Sequence, residues 1–182
     1  FYFGEEPSPW IQQILVSPDA RHLAYLVGEG FDATLRINLF PWLTLITEKP
    51  LLSFSSDLDL EAMRAVVEQP SLAFSPDGRF LAFMAAIEGP SSDLYLYALD
   101  TFKVTRLTDG PAQAFQPVWS PGGKFIVHTG VRSFGTGAGY DMSGVWASRA
   151  DNADAITLYD PSGSGSEVIL GWVDDQTFIV YS

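Results

Sequence analysis

Cysteine is absent from the 182-residue chain. That removes disulfides, thiolate metal sites and cysteine nucleophiles together, and it leaves the redox compartment open. Histidine is nearly absent: His22 and His128 are the two in the chain, and they are not spaced as zinc ligands. Basic residues are few as well. Ten Lys and Arg stand against 22 Asp and Glu, for a formal charge of -12. Such a balance repels phosphate backbones and anionic lipid, so neither nucleic acid nor a membrane surface is an expected partner. No segment approaches the roughly 18 uncharged apolar residues of a spanning helix, so membrane insertion is not expected. A Gly-x-Ser-x-Gly elbow is also missing; Gly163-Ser164-Gly165-Ser166 departs from the pattern and reads as a turn.

What is present is a core. Hydrophobic residues make up 47% of the chain and aromatics 14%, enough for one ordinary folded domain and incompatible with a disordered tail. The first residue is Phe1 rather than Met, which suggests a processed product or an excised piece. Within the chain a short pattern recurs. Ser17-Pro18-Asp19-Ala20, Ser75-Pro76-Asp77-Gly78 and Ser120-Pro121-Gly122-Gly123 are each followed by a basic residue or His and an apolar run. A degenerate copy, Val173-Asp174-Asp175-Gln176, precedes Phe178-Ile179-Val180. The copies start at 17, 75, 120 and 173, a basic period of about 45 residues, the length of a four-stranded propeller blade. The excess in the longer intervals falls at 56–69 and 133–144.

Each unit has a physical logic. Pro presets φ at the second turn position, Asp bonds back to its own backbone, and Gly accepts positive φ. An apolar run therefore enters the turn and a second returns beside it, which makes a hairpin. Ala20 stands where Gly is expected, so the first turn is either strained or built differently. The runs Ile14-Leu15-Val16, Phe80-Leu81-Ala82-Phe83-Met84, Phe125-Ile126-Val127 and Phe178-Ile179-Val180 do not alternate with polar residues. An antiparallel sheet with that composition must be covered on both faces, as blades stacked around an axis are. The second unit continues with a third strand from about Asp93 to Leu99 and an outer one near 103–107. In the first unit the corresponding strands are expected near 34–39 and 43–47.

At Phe74-Ser75-Pro76-Asp77-Gly78-Arg79-Phe80 and Trp119-Ser120-Pro121-Gly122-Gly123-Lys124-Phe125 the chain resembles the TolB-type, WD-repeat-like β-propeller family. Asp93-Leu94-Tyr95-Leu96-Tyr97 through Arg106-Leu107-Thr108 is similar to that family's closing half. The resemblance runs from about Ile14 to Tyr181. It implies an all-β partial propeller of about three and a half four-stranded blades, approximately 10–55, 70–110, 114–160 and 166–182, with a helical insertion at 56–69. TolB proteins are periplasmic protein-binding scaffolds, so the resemblance also implies an extracytoplasmic setting. Prolyl oligopeptidases carry similar blades in front of a separate hydrolase domain. Complete propellers usually need four to eight blades. The chain is therefore expected to be part of a longer propeller, or to complete itself by pairing as a homodimer. Phe1-Tyr2-Phe3 is a candidate outer strand donated to another blade.

The candidate sites are modest. Ser56 or Asp57 can cap a helix whose apolar face is Leu60, Met63 and Val67, a partner-binding lid or a simple loop decoration. Asp57-Leu58-Asp59-Leu60-Glu61 lacks the glycine and distant glutamate of a calcium loop. Gly135-Thr136-Gly137-Ala138-Gly139 lacks the sixth-position glycine of a dinucleotide fingerprint, where Tyr140 stands. No metal and no cofactor is expected. That glycine-rich loop does carry Arg132, Phe134, Tyr140 and Asp141: a fork donor, two aromatics and an acceptor. The equivalent loops hold Phe31 with Asp32, and Glu88. In propellers of this type such loops line one mouth of the channel. Trp10, Trp42, Trp119, Trp146 and Trp172 could stack sugars, but strand positions favour packing. The expected function is a non-catalytic scaffold that binds a protein or peptide, basic or neutral in charge. The alternative is the propeller portion of a prolyl-oligopeptidase-type hydrolase.

Overall fold

The computed structural model describes residues 11–29, 32–39, 49–52, 72–85, 92–109, 113–133, 140–151, 155–159 and 168–181. The first sheet is β1 (Ile11–Val16), β2 (His22–Glu29), β3 (Asp32–Leu39) and β4 (Lys49–Leu52), paired in chain order. The second is β5 (Leu72–Phe74), β6 (Phe80–Ala85), β7 (Asp93–Ala98) and β8 (Val104–Arg106). The third is β9 (Gln113–Trp119), β10 (Phe125–Ser133), β11 (Tyr140–Arg149) and β12 (Ala155–Tyr159). Two further strands, β13 (Val168–Trp172) and β14 (Phe178–Tyr181), form the last sheet. Every pairing is antiparallel, and no helix occurs among the described residues. The sheets stack through their first strands, β1 on β5, β5 on β9 and β9 on β13. This is an all-β partial propeller. The expected helix at 56–69, the segment 43–47 and residues 1–3 lie outside the described residues; the outer strand paired with β3 is β4, at Lys49–Leu52.

The repeated turn closes the same way in each full copy. Ser17 N–H donates to the His22 carbonyl (2.9 Å) and Ala20 N–H to the Ser17 carbonyl (2.9 Å). Ser17 Oγ donates to Asp19 Oδ1 (2.6 Å), which also accepts Arg21 N–H (3.1 Å). The Ser75–Phe80 turn repeats these bonds atom for atom, with Asp77 in the acceptor role. The Ser17 hydroxyl and the Arg21 N–H hold the Asp19 carboxyl below its ordinary value. At Asp77 burial pushes upward, but the Ser75 hydroxyl and the Arg79 N–H outweigh it. The third copy has Gly122 where the Asp should be, and its free N–H is taken from outside: Asp175 Oδ1 of the last sheet accepts it at 2.5 Å. A Cβ at Gly122 would collide with that carboxylate. Ala20, Gly78 and Gly123 share positive φ (57°, 70° and 71°). The first turn is thus strained, not rebuilt.

Side-chain alternation divides each inner sheet between two neighbours. Leu81, Phe83, Ala85, Tyr95 and Tyr97 pack with Ala24, Leu26, Leu35 and Ile37 of the first sheet. Ala82, Met84, Leu94 and Leu96 point the other way, onto Ala114, Trp119 and Ile126 of the third. Val127 and Val145 continue the stack onto Ile169, Trp172 and Phe178. Indole N–H groups add direction: Trp119 Nε1 donates to the Ala73 carbonyl (2.9 Å) and Trp172 Nε1 to the Val118 carbonyl (3.0 Å). These two tryptophans are packing residues. Gln116 and Pro117 stand together opposite His128, a bulge in which Gln116 takes φ of 54°. Its amide reaches the Ile169 carbonyl of the next sheet at 3.1 Å.

The two end sheets behave differently. Residues 178–181 in β14 alternate between half-buried and exposed, and Ile179 and Tyr181 stand 50% and 67% exposed. In β1, Ile14 and Val16 are 56% and 62% exposed while Leu15 packs inward. The expectation that the apolar runs 14–16 and 178–180 are covered on both faces therefore fails at the ends of the arc. Their second faces have no neighbouring sheet among the described residues.

One buried titratable group sits in the third sheet. His128 is 4% exposed, its Nε2 3.3 Å from Ser148 Oγ. Burial, against a smaller opposing bond to the Thr129 backbone, lowers its pKa from 6.5 to about 4.

Ala20→Gly should raise the midpoint of urea unfolding, worth about 1 kcal/mol, because Gly takes positive φ without a Cβ penalty. Gly78→Ala should lower it by at least as much, since its Cβ would also lie 3.3 Å from Asp19 Cγ. Because His128 binds its proton more weakly folded than unfolded, stability that is intact above pH 6.5 should fall as pH drops towards about 4. The total loss is about 3 kcal/mol. His128→Gln should flatten that part of the profile, measured by urea titrations from pH 7 to 4. The turn aspartates titrate below their ordinary value and act at lower pH.

Candidate functional site

Antiparallel order gives every sheet the same two connection ends. Connections from second to third strands lie at one end, and the Ser-Pro turns lie at the other with the third-to-fourth turns. Among the described residues the β10–β11 hairpin has the longest strands, nine and ten residues against eight in β2 and β3 and six in β6 and β7. Its pairing runs from Phe125 opposite Arg149 to Ser133 opposite Tyr140. Midway, Gly130 faces Gly144, which takes φ of 128°, and Ser143 is left as an extra residue between paired positions. A bulge of this kind bends and twists the hairpin and re-aims its tip. Beyond it Arg132 stands opposite Asp141. Of the residues singled out from sequence, Arg132, Tyr140 and Asp141 thus share one hairpin tip. Asp32, opposite Glu29, occupies the same end of the first sheet, with the second sheet between. Phe31, Glu88 and Phe134 lie outside the described residues.

A charged cluster anchors the base of that end in the second sheet. Asp93, 1% exposed, accepts Arg106 Nη2 (2.6 Å) and Thr108 Oγ1 (3.0 Å), and Thr108 Oγ1 in turn accepts Leu94 N–H (2.9 Å). Asp109 takes the same Nη2 at 2.9 Å from the solvent side. Burial works against the Arg106 charge, and the Asp93 carboxylate outweighs it, so the guanidinium is held above its ordinary value. A buried carboxylate without such partners would be costly. The cluster ties the start of β7 to the chain leaving β8.

The other end contains a groove that sequence reasoning missed. It opens between the second and third sheets as a space of about 490 Å³ lined by Phe80, Lys124, Phe125 and Arg149. It continues as a space of about 200 Å³ past Leu96 and Lys103. Phe80, Ala150 and Asp151 are common to both parts. Arg149 and Asp151 neutralise one another through a two-bond fork, Nε to Oδ1 at 2.9 Å and Nη2 to Oδ2 at 2.8 Å. The fork lowers the Asp151 carboxyl below its ordinary value. The Arg79 guanidinium lies 5.8 Å from the Phe80 ring centre. Lys103 and Lys124 enter no ion pair among the described residues, and their carbonyls are fixed by Ala98 N–H (2.9 Å) and Ala150 N–H (3.0 Å). A signal was available: a cation follows the positive-φ turn residue in each full copy, as Arg21, Arg79 and Lys124.

No family model matches the chain, and no curated protein matches it. Solved structures do. TolB from Acinetobacter baumannii superposes with a TM-score of 0.57 at 21% identity, over 94% of this chain and 43% of that one. Pyrococcus horikoshii acylaminoacyl peptidase gives 0.63 at 13% identity, over 94% of this chain and 28% of that one. Porphyromonas gingivalis dipeptidyl peptidase 4 gives 0.62 at 16%, over 100% of this chain and 24% of that one. The chain spans less than half the length of each. At these identities the likeness is one of fold, and the fold is a TolB-like β-propeller.

Proposed function

We propose that the chain is a recognition scaffold, the propeller portion of a longer assembly, and that it holds a protein or peptide without acting on it chemically. The observation that carries this reading is the extended β10–β11 hairpin. Beyond a bulge with two facing glycines, Arg132 pairs with Asp141 and Ser133 with Tyr140, at the end where second strands pass to third. A fork donor, an aromatic and a carboxylate at adjoining register positions form a set suited to protein contact, and the Asp93–Arg106 cluster ties strand ends together at the same end of the second sheet. The likeness to TolB agrees with this reading.

The exposed apolar faces of β1 and β14 are the surfaces against which further blades, or a second copy of the chain, would close the ring. A second reading is favoured by the similarity to the two peptidases. In it, these blades would gate access to a hydrolase domain outside the chain. A Gly-x-Ser-x-Gly elbow downstream in the parent gene would select that reading.

The test is selection of peptides from a displayed library on the immobilised chain, followed by the paired substitution Arg132→Ala and Tyr140→Ala. Affinity for the selected peptides should fall by roughly tenfold or more, as expected for contact anchors, with the melting temperature nearly unchanged. Undiminished binding removes this hairpin from the reading.

A further inference from the structure

We propose that the groove between the second and third sheets takes an extended acidic peptide segment, with an apolar side chain seated between Phe80 and Phe125 and flanking carboxylates on Lys103 and Lys124. The inference rests on the peptide-recognition reading above but places a second, separate surface at the turn end of the sheets, opposite the β10–β11 hairpin tip.

Charge complementarity selects the occupant. The chain as a whole carries -12, so a groove whose unpaired charges are both positive is a local reversal of its surroundings. Arg149 and Asp151 satisfy each other through their fork, which leaves Lys103 and Lys124 to set the sign of the groove. Both lysines lie on exposed turns whose backbones are tied into the sheets by carbonyl hydrogen bonds. Their ammonium groups therefore project from fixed points, and little backbone ordering remains to be done on binding.

Between them the walls are apolar: the half-buried rings of Phe80 and Phe125, with Leu96 and Ala150 below. About 490 Å³ lies within the range of ligand-holding clefts. The shape is a trough along a blade boundary, not a closed pocket, and it suits a chain segment better than a compact molecule. A basic segment would set its charges against both lysines.

Isothermal titration calorimetry with two capped peptides tests this. The sequence Gly-Asp-Leu-Glu-Leu-Gly should bind, and its charge-reversed counterpart Gly-Lys-Leu-Lys-Leu-Gly should not. Lys103→Glu combined with Lys124→Glu should weaken the acidic peptide by ~10-fold or more, the scale of reversing close charge pairs. Arg21→Glu, an exposed cation on the first turn and outside the groove, should change it less than about twofold, since rim charges at a distance are screened. Failure of the acidic peptide to bind, equal binding of both peptides, or indifference to the lysine reversal each overturns the inference. If the acidic peptide fails while library-selected peptides still depend on Arg132 and Tyr140, the groove alone is lost. If neither binds, the scaffold reading falls with it.

Discussion

Along β6, Leu81, Phe83 and Ala85 face one neighbouring sheet while Ala82 and Met84 face the other, and all five side chains are buried. A strand that is apolar on both faces has no wet side to offer, so it must be sandwiched. Everything else in the molecule follows from meeting that demand with copies of one hairpin unit. Each large aliphatic or aromatic side chain covered in this way contributes about 1.5–3 kcal/mol, and the second sheet collects that gain on both sides. The sheets at the ends of the arc collect it on one. Stability is therefore concentrated in the middle of the stack, and apolar surface is left at Ile14, Val16, Ile179 and Tyr181.

Apolar stacking alone does not fix how far one sheet slides over the next; directional bonds do. Trp119 and Trp172 end their strands at equivalent positions, and each indole reaches the penultimate residue of the preceding sheet's first strand. The Gln116 bulge adds a second tie in the same layer, from the third sheet to the fourth. At the turns, Asp175 of the last sheet accepts the N–H of Gly122. It does not repeat the bonds of Asp19 and Asp77, which accept the serine hydroxyl and the N–H two residues on. The side-chain-free position leaves room for this carboxylate, and the contact links two blades.

These links bear on what could be read without the structure. The Ser-Pro turns, the hairpins and the third strand at Asp93 were legible, because each is written within a few consecutive residues. The Asp93–Arg106 cluster was legible as a family likeness but not as a charge pair, since its members lie on two strands. Coverage at the arc ends is legible only from the count of blades: Ile14-Leu15-Val16 records that two neighbours are needed, not that both are in the chain. The groove was not legible. Phe80, Lys103, Lys124 and Arg149 become neighbours when two sheets stack, and nothing in their spacing announces it.

The two proposed surfaces differ in form. Arg132 and Asp141 pair beyond the bulge of the β10–β11 hairpin, and in the proposed reading they meet a partner there. The groove at the turn end lies between walls held by turn hydrogen bonds, and in the same reading it receives a segment. Net charge sharpens that contrast. A net charge of -12 draws basic surfaces towards the whole molecule and opposes acidic ones at a distance. An acidic segment gains from Lys103 and Lys124 only within a Debye length, about 8 Å at physiological salt. It must therefore be delivered by apolar contact or by tethering to a partner already engaged elsewhere. If both proposals hold, the hairpin meets the partner first and the groove takes a segment that arrives second.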